Sequence, residues 1–186
     1  MDAPKYTVES VSPRIRRFLS PLLARAGLRL QYQVTGPENR HPDFENPDVV
    51  VRFSGPDVEL LLANRAELLL ALEHLTMEML RMPPEDHSRL CFDANDYRAL
   101  RIEELRLSAL AAAEKVKRTG RPFEFNPMTS RERRIIHLAL RGDSAVRSES
   151  SGLGSQRKVV IYPADMPPRP EEAASARPPV RKRHRR

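Results

Sequence analysis

The hydrophobic period of this chain switches repeatedly between helical and strand spacing, which confines it to a mixed α+β fold. From Ser12, the residues Ile15, Phe18, Leu19, Leu22 and Leu23 recur as on one helix face. Pro13 suits a first helical position, and Gly27 ends the run. Residues 1–11 lack the pattern and are expected to fray. LRLQYQV (28–34) alternates like a strand, a Pro- and Asn-rich loop occupies 35–47, and DVVVRF (48–53) is a second strand. Gly55 and Pro56 break the chain before the Leu-rich segment 58–80, in which Leu68, Leu72, Leu75 and Met79 mark one face of a helix from about Ala66 onward. Pro83 and Pro84 stop it, and RLCFDA (89–94) is a third strand. If 57–62 forms its own helical turn, the order is helix–strand–strand–helix–helix–strand.

A long helix is predicted over about 96–118, with Ile102, Leu105, Ala109, Ala112 and Val116 inward and Gly120 as its C-terminal cap. Thr129-Ser-Arg-Glu132 is a capping box that opens another helix running to about Arg141. SAVRSES (144–150) and RKVVIYP (157–163) read as two strands around a polar turn. From Pro163 onward six of 24 residues are Pro and nothing is periodic, so a disordered tail is expected.

Charge separates the parts. Residues 12–95 hold 10 Lys/Arg against 12 Asp/Glu, whereas residues 96–163 hold 14 against 8, and 165–186 hold 7 against 3. A polyanion should therefore meet the second half first, since phosphate neutralisation dominates nucleic-acid affinity. The same charge would also serve simple solubility. No apolar run approaches the roughly 20 residues of a membrane span, and the N-terminal residues lack a signal-peptide core. The expectation is a cytoplasmic protein without stable membrane insertion. With Cys91 as the single cysteine, neither an internal disulfide nor a multi-cysteine metal site is possible.

The segment richest in chemistry is ERRIIHLAL (132–140). At about 100° per residue, Arg133, Arg134, His137 and Arg141 share one arc, while Ile135, Ile136, Ala139 and Leu140 can face a core. Arginine grips phosphate through a planar fork, and histidine can donate to phosphate or stack on a base. A solvated helix face carries such residues equally well, so the pair gains meaning only from its surroundings.

Those surroundings are specific. AAEKVKRTGRP, then NPM, then ERRIIHLAL, then a VVI strand resemble the R-3-H domain, named for an Arg-x-x-x-His pair matched here by Arg133 and His137. The similarity covers roughly 97–163 and implies single-stranded nucleic-acid binding by a small sheet packed on helices. DANDYRALRIEEL (93–105) is similar to the junction in bacterial Jag (KhpB/EloR-like) proteins, where a KH domain runs into the R-3-H domain. The extra N-terminal domain that many Jag proteins carry has no counterpart in this sequence. The resemblance implies a degenerate type II KH-like domain over 12–95, an R-3-H domain over 96–163, and a disordered, basic, Pro-rich tail over 164–186. It also implies a small stand-alone KH protein as a partner and links to membrane-protein insertion and cell-envelope control. One departure stands out. Where KH domains present Gly-x-x-Gly to phosphates, this chain has Ala63-Asn64-Arg65-Ala66. Alanine resists positive φ and its methyl obstructs close approach, so RNA clamping by this half is in doubt.

The expected function is non-catalytic binding of single-stranded RNA, with single-stranded DNA as the other substrate. Arg133 and His137 are central, and Arg134, Arg141, Arg147, Lys158, Lys115, Lys117, Arg118 and Arg121 supply phosphate contacts. Ser148, with Ser150 and Ser151, offers hydroxyls to sugar–phosphate, although turn composition explains these serines as well. The rival is a protein-interaction adaptor working through the KH-like half. Cys91 reads as a buried small hydrophobe. His41, His74 and His87 lack metal-ligand spacing, Glu85-Asp86-His87 reads as a solvated loop, and RKRHRR (181–186) is a nonspecific cationic end. No metal, cofactor or hydrolase motif is present.

Overall fold

The computed structural model describes residues 5–36 and 43–167, so His41 and most of the expected tail lie outside the described residues. The chain forms two compact units, Met1–Arg106 and Leu107–Arg186. In the first, α1 (Val8–Arg25), β1 (Gln31–Thr35), β2 (Val49–Ser54), α2 (Val58–Leu80), a 3-10 turn (Pro84–Arg89) and β3 (Leu90–Ala94) precede α3 (Tyr97–Thr119), in which the division falls. β2 is central, antiparallel to β1 and parallel to β3. This order is compatible with the KH-like expectation. Val49, Val51, Phe53, Leu90 and Phe92 alternate onto one sheet face and bury against Ile15, Leu19, Leu61 and Leu69. Each such side chain contributes about 1.5–3 kcal/mol by leaving water.

Helix α1 begins four residues before Ser12, which corrects the expectation of fraying. Thr7 and Ser10 form a reciprocal capping box, and Ser at the third helical position is a weaker signal than Glu or Gln. Ahead of it, Lys5 Nζ and the Tyr6 hydroxyl donate to Asp86 Oδ2 at 2.5 and 2.8 Å. Asp86 is thereby buried, not part of a solvated loop.

Helix α2 is interrupted at the position matching Gly-x-x-Gly. Ala63 is extended, and Asn64, Arg65 and Ala66 have φ of 51°, 62° and 60°. Alanine thus does adopt positive φ here, at about 1–2 kcal/mol. Its methyl is fully buried, and the Tyr97 hydroxyl donates to the Arg65 carbonyl, so packing on both sides holds the turn. Beyond the interruption, packing selects which apolar stripe of the helix turns inward. Leu69, Leu72, Glu73, Thr76 and Leu80 face inward, whereas Leu75 is half exposed and Leu68 and Met79 are only partly buried. The expected Leu68–Leu72–Leu75–Met79 face is corrected accordingly. Thr76 is satisfied inside by donating to the Leu72 carbonyl, and Cys91 is a buried thiol, as expected.

In the second unit the end of α3 leads to β4 (Phe123–Glu124), α4 (Ser130–Ala139), β5 (Val146–Ser151), a 3-10 turn (Gly154–Gln156) and β6 (Lys158–Pro163). The antiparallel sheet has the order β4-β6-β5. The inward face of α3 is as expected: Ile102, Leu105, Ala109, Ala112 and Val116 are all buried. Gly120, at φ 64°, caps it by donating to the Val116 carbonyl. β4 escapes sequence reading because two residues cannot display alternation. Ala164 and Met166 remain tied to the sheet region, through Ala164 N to the Ala145 carbonyl and Arg147 to the Met166 carbonyl.

Candidate nucleic-acid interface

The capping box of α4 forms as expected, with Thr129 Oγ1 accepting from Glu132 N and Glu132 accepting from Thr129 N. Ile135, Ile136 and Leu140 bury, while Ala139 is only partly covered. The opposite arc opens a shallow concavity lined by Ser130, Arg133, Arg134, His137, Leu138 and Arg141. The four residues placed on one arc by the sequence are therefore brought together.

Beneath this stripe, β5 supplies hydroxyls. Ser148 lies opposite Ile161 and Ser150 opposite Val159, so both point from one sheet face. His137 Nδ1 is 2.7 Å from Ser148 Oγ, and its Nε2 is 3.0 Å from Ser150 Oγ. Arg133 Nη1 donates to Ser150 Oγ at 2.8 Å. Burial, and then the neighbouring Arg133 charge, hold His137 below the ordinary histidine range. At neutral pH it is therefore neutral, with one N–H donor and one acceptor nitrogen. If Nε2 carries the proton, Ser150 accepts twice and keeps its own O–H for a ligand. If Nδ1 carries it, Ser148 keeps its O–H instead. Either tautomer leaves one serine hydroxyl able to donate. Both ring nitrogens of His137 are thus within hydrogen-bond distance of a serine hydroxyl.

A pH test follows from the lowered pKa. The folded value lies below the unfolded value of about 6.5, so the associated stability is complete above that pH and is lost as pH falls through the folded pKa. Thermal unfolding followed from pH 8 to pH 5 should show a decline that His137→Gln lacks. Parallel profiles for the two chains would refute this account of the ring.

The predicted cations divide by whether a carboxylate already holds them. Among the described residues, none pairs with Arg133, Arg134 or Arg141, and Arg133 Nε is buried without a hydrogen-bond partner. Arg118 and Arg121 are exposed near the end of α3. Lys115 Nζ lies 5.3 Å from the Phe123 ring centre. Lys117 is paired with Glu114 at 2.5 Å and Asp143 at 3.0 Å. Arg147 pairs with Glu149 and stacks over Tyr162, while Lys158 pairs with Glu124. Arg147, Ser151 and Lys158 alternate onto the sheet face opposite Ser148 and Ser150. Sequence reasoning passed over Arg157, which precedes β6 and whose charge adds to the burial that lowers the Arg133 pKa from its ordinary value. Strand alternation, continued one residue backward from Val159 and Ile161, was the signal that could have found it. No group of three His, Cys, Asp or Glu suited to a metal occurs among the described residues.

A cationic helix stripe over a serine-bearing three-stranded sheet defines a class, and residues 103–163 match the R-3-H domain. The chain is 37% identical over 111 residues to RNA-binding protein KhpB of Clostridium symbiosum, covering 60% of this chain and 50% of that protein. It is 36% identical over 111 residues to RNA-binding protein KhpB of Bacillus subtilis, covering 59% and 53%. A third KhpB, from Lactiplantibacillus plantarum, is 29% identical over 119 residues, covering 64% and 37%. The chain is thus similar to the R-3-H domain over residues 103–163 and to the KhpB proteins over 111 residues, and it spans about half the length of the first two.

Proposed function

We propose that this protein binds single-stranded RNA, without catalysis, through the α4 stripe. The observation that carries the reading is the group of arginines free of carboxylates, Arg133, Arg134 and Arg141, gathered in one concavity. Buried or clustered cations without counter-charges favour a polyanion over a neutral partner. The name RNA-binding protein given to the relatives supports it. Lys115, Arg118 and Arg121 extend the phosphate contacts, whereas Lys117, Arg147 and Lys158 join only by leaving their carboxylates. The KH-like half, residues 12–95, is net acidic and lacks both glycines, which suits a scaffold or a surface for a small KH protein. No helix among the described residues is long and apolar enough to cross a membrane, and the proposed setting is the cytoplasm.

Fluorescence anisotropy of the full chain on a labelled single-stranded RNA, across a salt series, tests the reading. Affinity should fall steeply with salt. Arg133→Ala should weaken binding by about 1–3 kcal/mol, as for loss of a charge-assisted bond. Absence of binding at low salt would overturn the reading and favour the adaptor. A matched DNA strand decides between the two nucleic acids.

A further inference from the structure

We propose that Leu153, at the tip of the β5–β6 hairpin, is an apolar wedge that packs against the face of a nucleobase and opens the stack of the bound strand there. The proposal rests on the reading of α4 as the nucleic-acid face and adds to it a contact with the bases.

The hairpin tip holds this side chain out in water on a closed turn. Ser151 and Lys158 form the last rung of the β5–β6 ladder. Beyond it Gly152 turns the chain at φ 90°, where a Cβ would lie 2.7 Å from the Gln156 carbonyl oxygen. Leu153 is extended, with φ −126° and ψ 148°. Gln156 N–H donates to the Leu153 carbonyl at 3.1 Å, and Arg157 N–H donates to the Gly154 carbonyl at 3.3 Å. A turn closed in this way has little freedom left to lose on binding. Leu153 is 86% exposed, more than any other large hydrophobic residue among those described. The cationic arc is close by. Arg133 Nη1 donates to Ser150 Oγ at 2.8 Å, and three residues of chain span at most about 11 Å, which bounds the distance from Ser150 to Leu153. On the other side of the turn, Met128 N–H donates to the Arg157 carbonyl at 3.1 Å, beside the entry to α4.

An exposed leucine by itself calls for no ligand, since folded surfaces carry many. Its company singles this one out. Ser151, Gly152, Gly154, Ser155 and Gln156 flank it in the chain and supply no second large apolar group. A protein interface takes roughly 800 Å² from each partner, far more than one such side chain offers. A bilayer gains too little from a single leucine to hold the chain, since even a whole acyl chain gives only marginal anchoring. A nucleobase is a small apolar plate bordered by phosphate charge. The hairpin tip and α4 present the matching alternation, one leucine beside a concavity lined by Arg133, Arg134 and Arg141. Every aromatic ring among the described residues is at least partly buried, so none of them offers a fully open stacking platform. An aliphatic wedge can take that part, as leucine does where proteins separate neighbouring base steps.

The test uses the full chain with a single-stranded RNA carrying 2-aminopurine, whose fluorescence rises when it unstacks, and with the same strand made abasic. Leu153→Ser should weaken binding to the RNA by about three- to tenfold, as for uncovering part of a leucine. The slope of log affinity against log salt should not change, because no charge is lost. Binding of the parent should raise the 2-aminopurine signal at one or more positions along the strand, and Leu153→Ser should abolish that rise. On the abasic strand the Leu153→Ser penalty should vanish. Leu153→Phe, which offers a broader flat face, should bind the RNA at least as tightly as the parent. If Leu153→Ser matches the parent in affinity and in fluorescence while Arg133→Ala is weakened, the wedge is wrong and the RNA-binding reading stands. A penalty that persists on the abasic strand means a backbone contact and also defeats the proposal. So does a Leu153→Ser chain that loses self-association in sedimentation but keeps its RNA affinity, because the tip is then a protein contact. Failure of the parent chain to bind any strand at low salt defeats the underlying reading, and the wedge with it. Should Leu153→Ser lose its fold by circular dichroism, Leu153→Phe on the two strands decides: tighter binding that depends on the bases supports the wedge, and an unchanged affinity on both refutes it.

Discussion

Arg98→Ala should lower stability by about 3–5 kcal/mol, the cost of stripping one partner from a buried ionic group. Arg98 donates to Glu45 through Nε at 3.0 Å and Nη2 at 2.7 Å, and its Nη1 lies 3.4 Å from Glu73 Oε2. Its side chain is only 11% exposed, and that of Glu73 only 9%. Without the guanidinium, two carboxylates face each other in a poorly hydrated site. Each then keeps its desolvation penalty without compensation. Urea unfolding measures the loss, with Glu104→Ala as control, since the Glu104 side chain is 64% exposed and its surface pair with Arg101 should be worth under about 1 kcal/mol. Equal destabilisation by the two substitutions would show that water reaches the Arg98 cluster.

Ile136→Ala should cost about 2–5 kcal/mol, because it removes a fully buried side chain and leaves a cavity that the sheet can fill only in part. Arg133, one turn earlier on the open arc, should barely affect folding when truncated yet weaken binding. A thermal melt of each variant, read beside RNA affinity, separates the two faces of α4. If Arg133→Ala melts as early as Ile136→Ala, the polar arc is structural and the interface lies elsewhere.

How much of the molecule is legible in its sequence depends on the range of each signal. The Thr129–Glu132 capping box, the inward stripe of α3 and the arc shared by Arg133, Arg134, His137 and Arg141 are local and periodic, and all three are found in the structure. The inward face of α2 was illegible, because Leu68, Leu69, Leu70 and Leu72 offer several equally apolar stripes and only packing selects among them. Long-range pairing was equally hidden. Nothing in the spacing says that Glu124 holds Lys158 or that Asp143 holds Lys117. Nor does composition say that Lys158 pairs across from Ser151, on the sheet face opposite Ser148 and Ser150.

The carboxylate of Glu73 has a consequence for association between molecules. Among the described residues β3 is an edge of its sheet, and such edges invite strand addition from other chains. Glu73 Oε2 accepts the Phe92 N–H at 2.7 Å, occupying a donor in the middle of that edge. A second chain seeking to extend the sheet there would have to displace a buried acid that also faces Arg98. Growth into fibrillar stacks is thus blocked on this side by a side chain already seated where a foreign backbone would dock, and the edge left for such growth is β1.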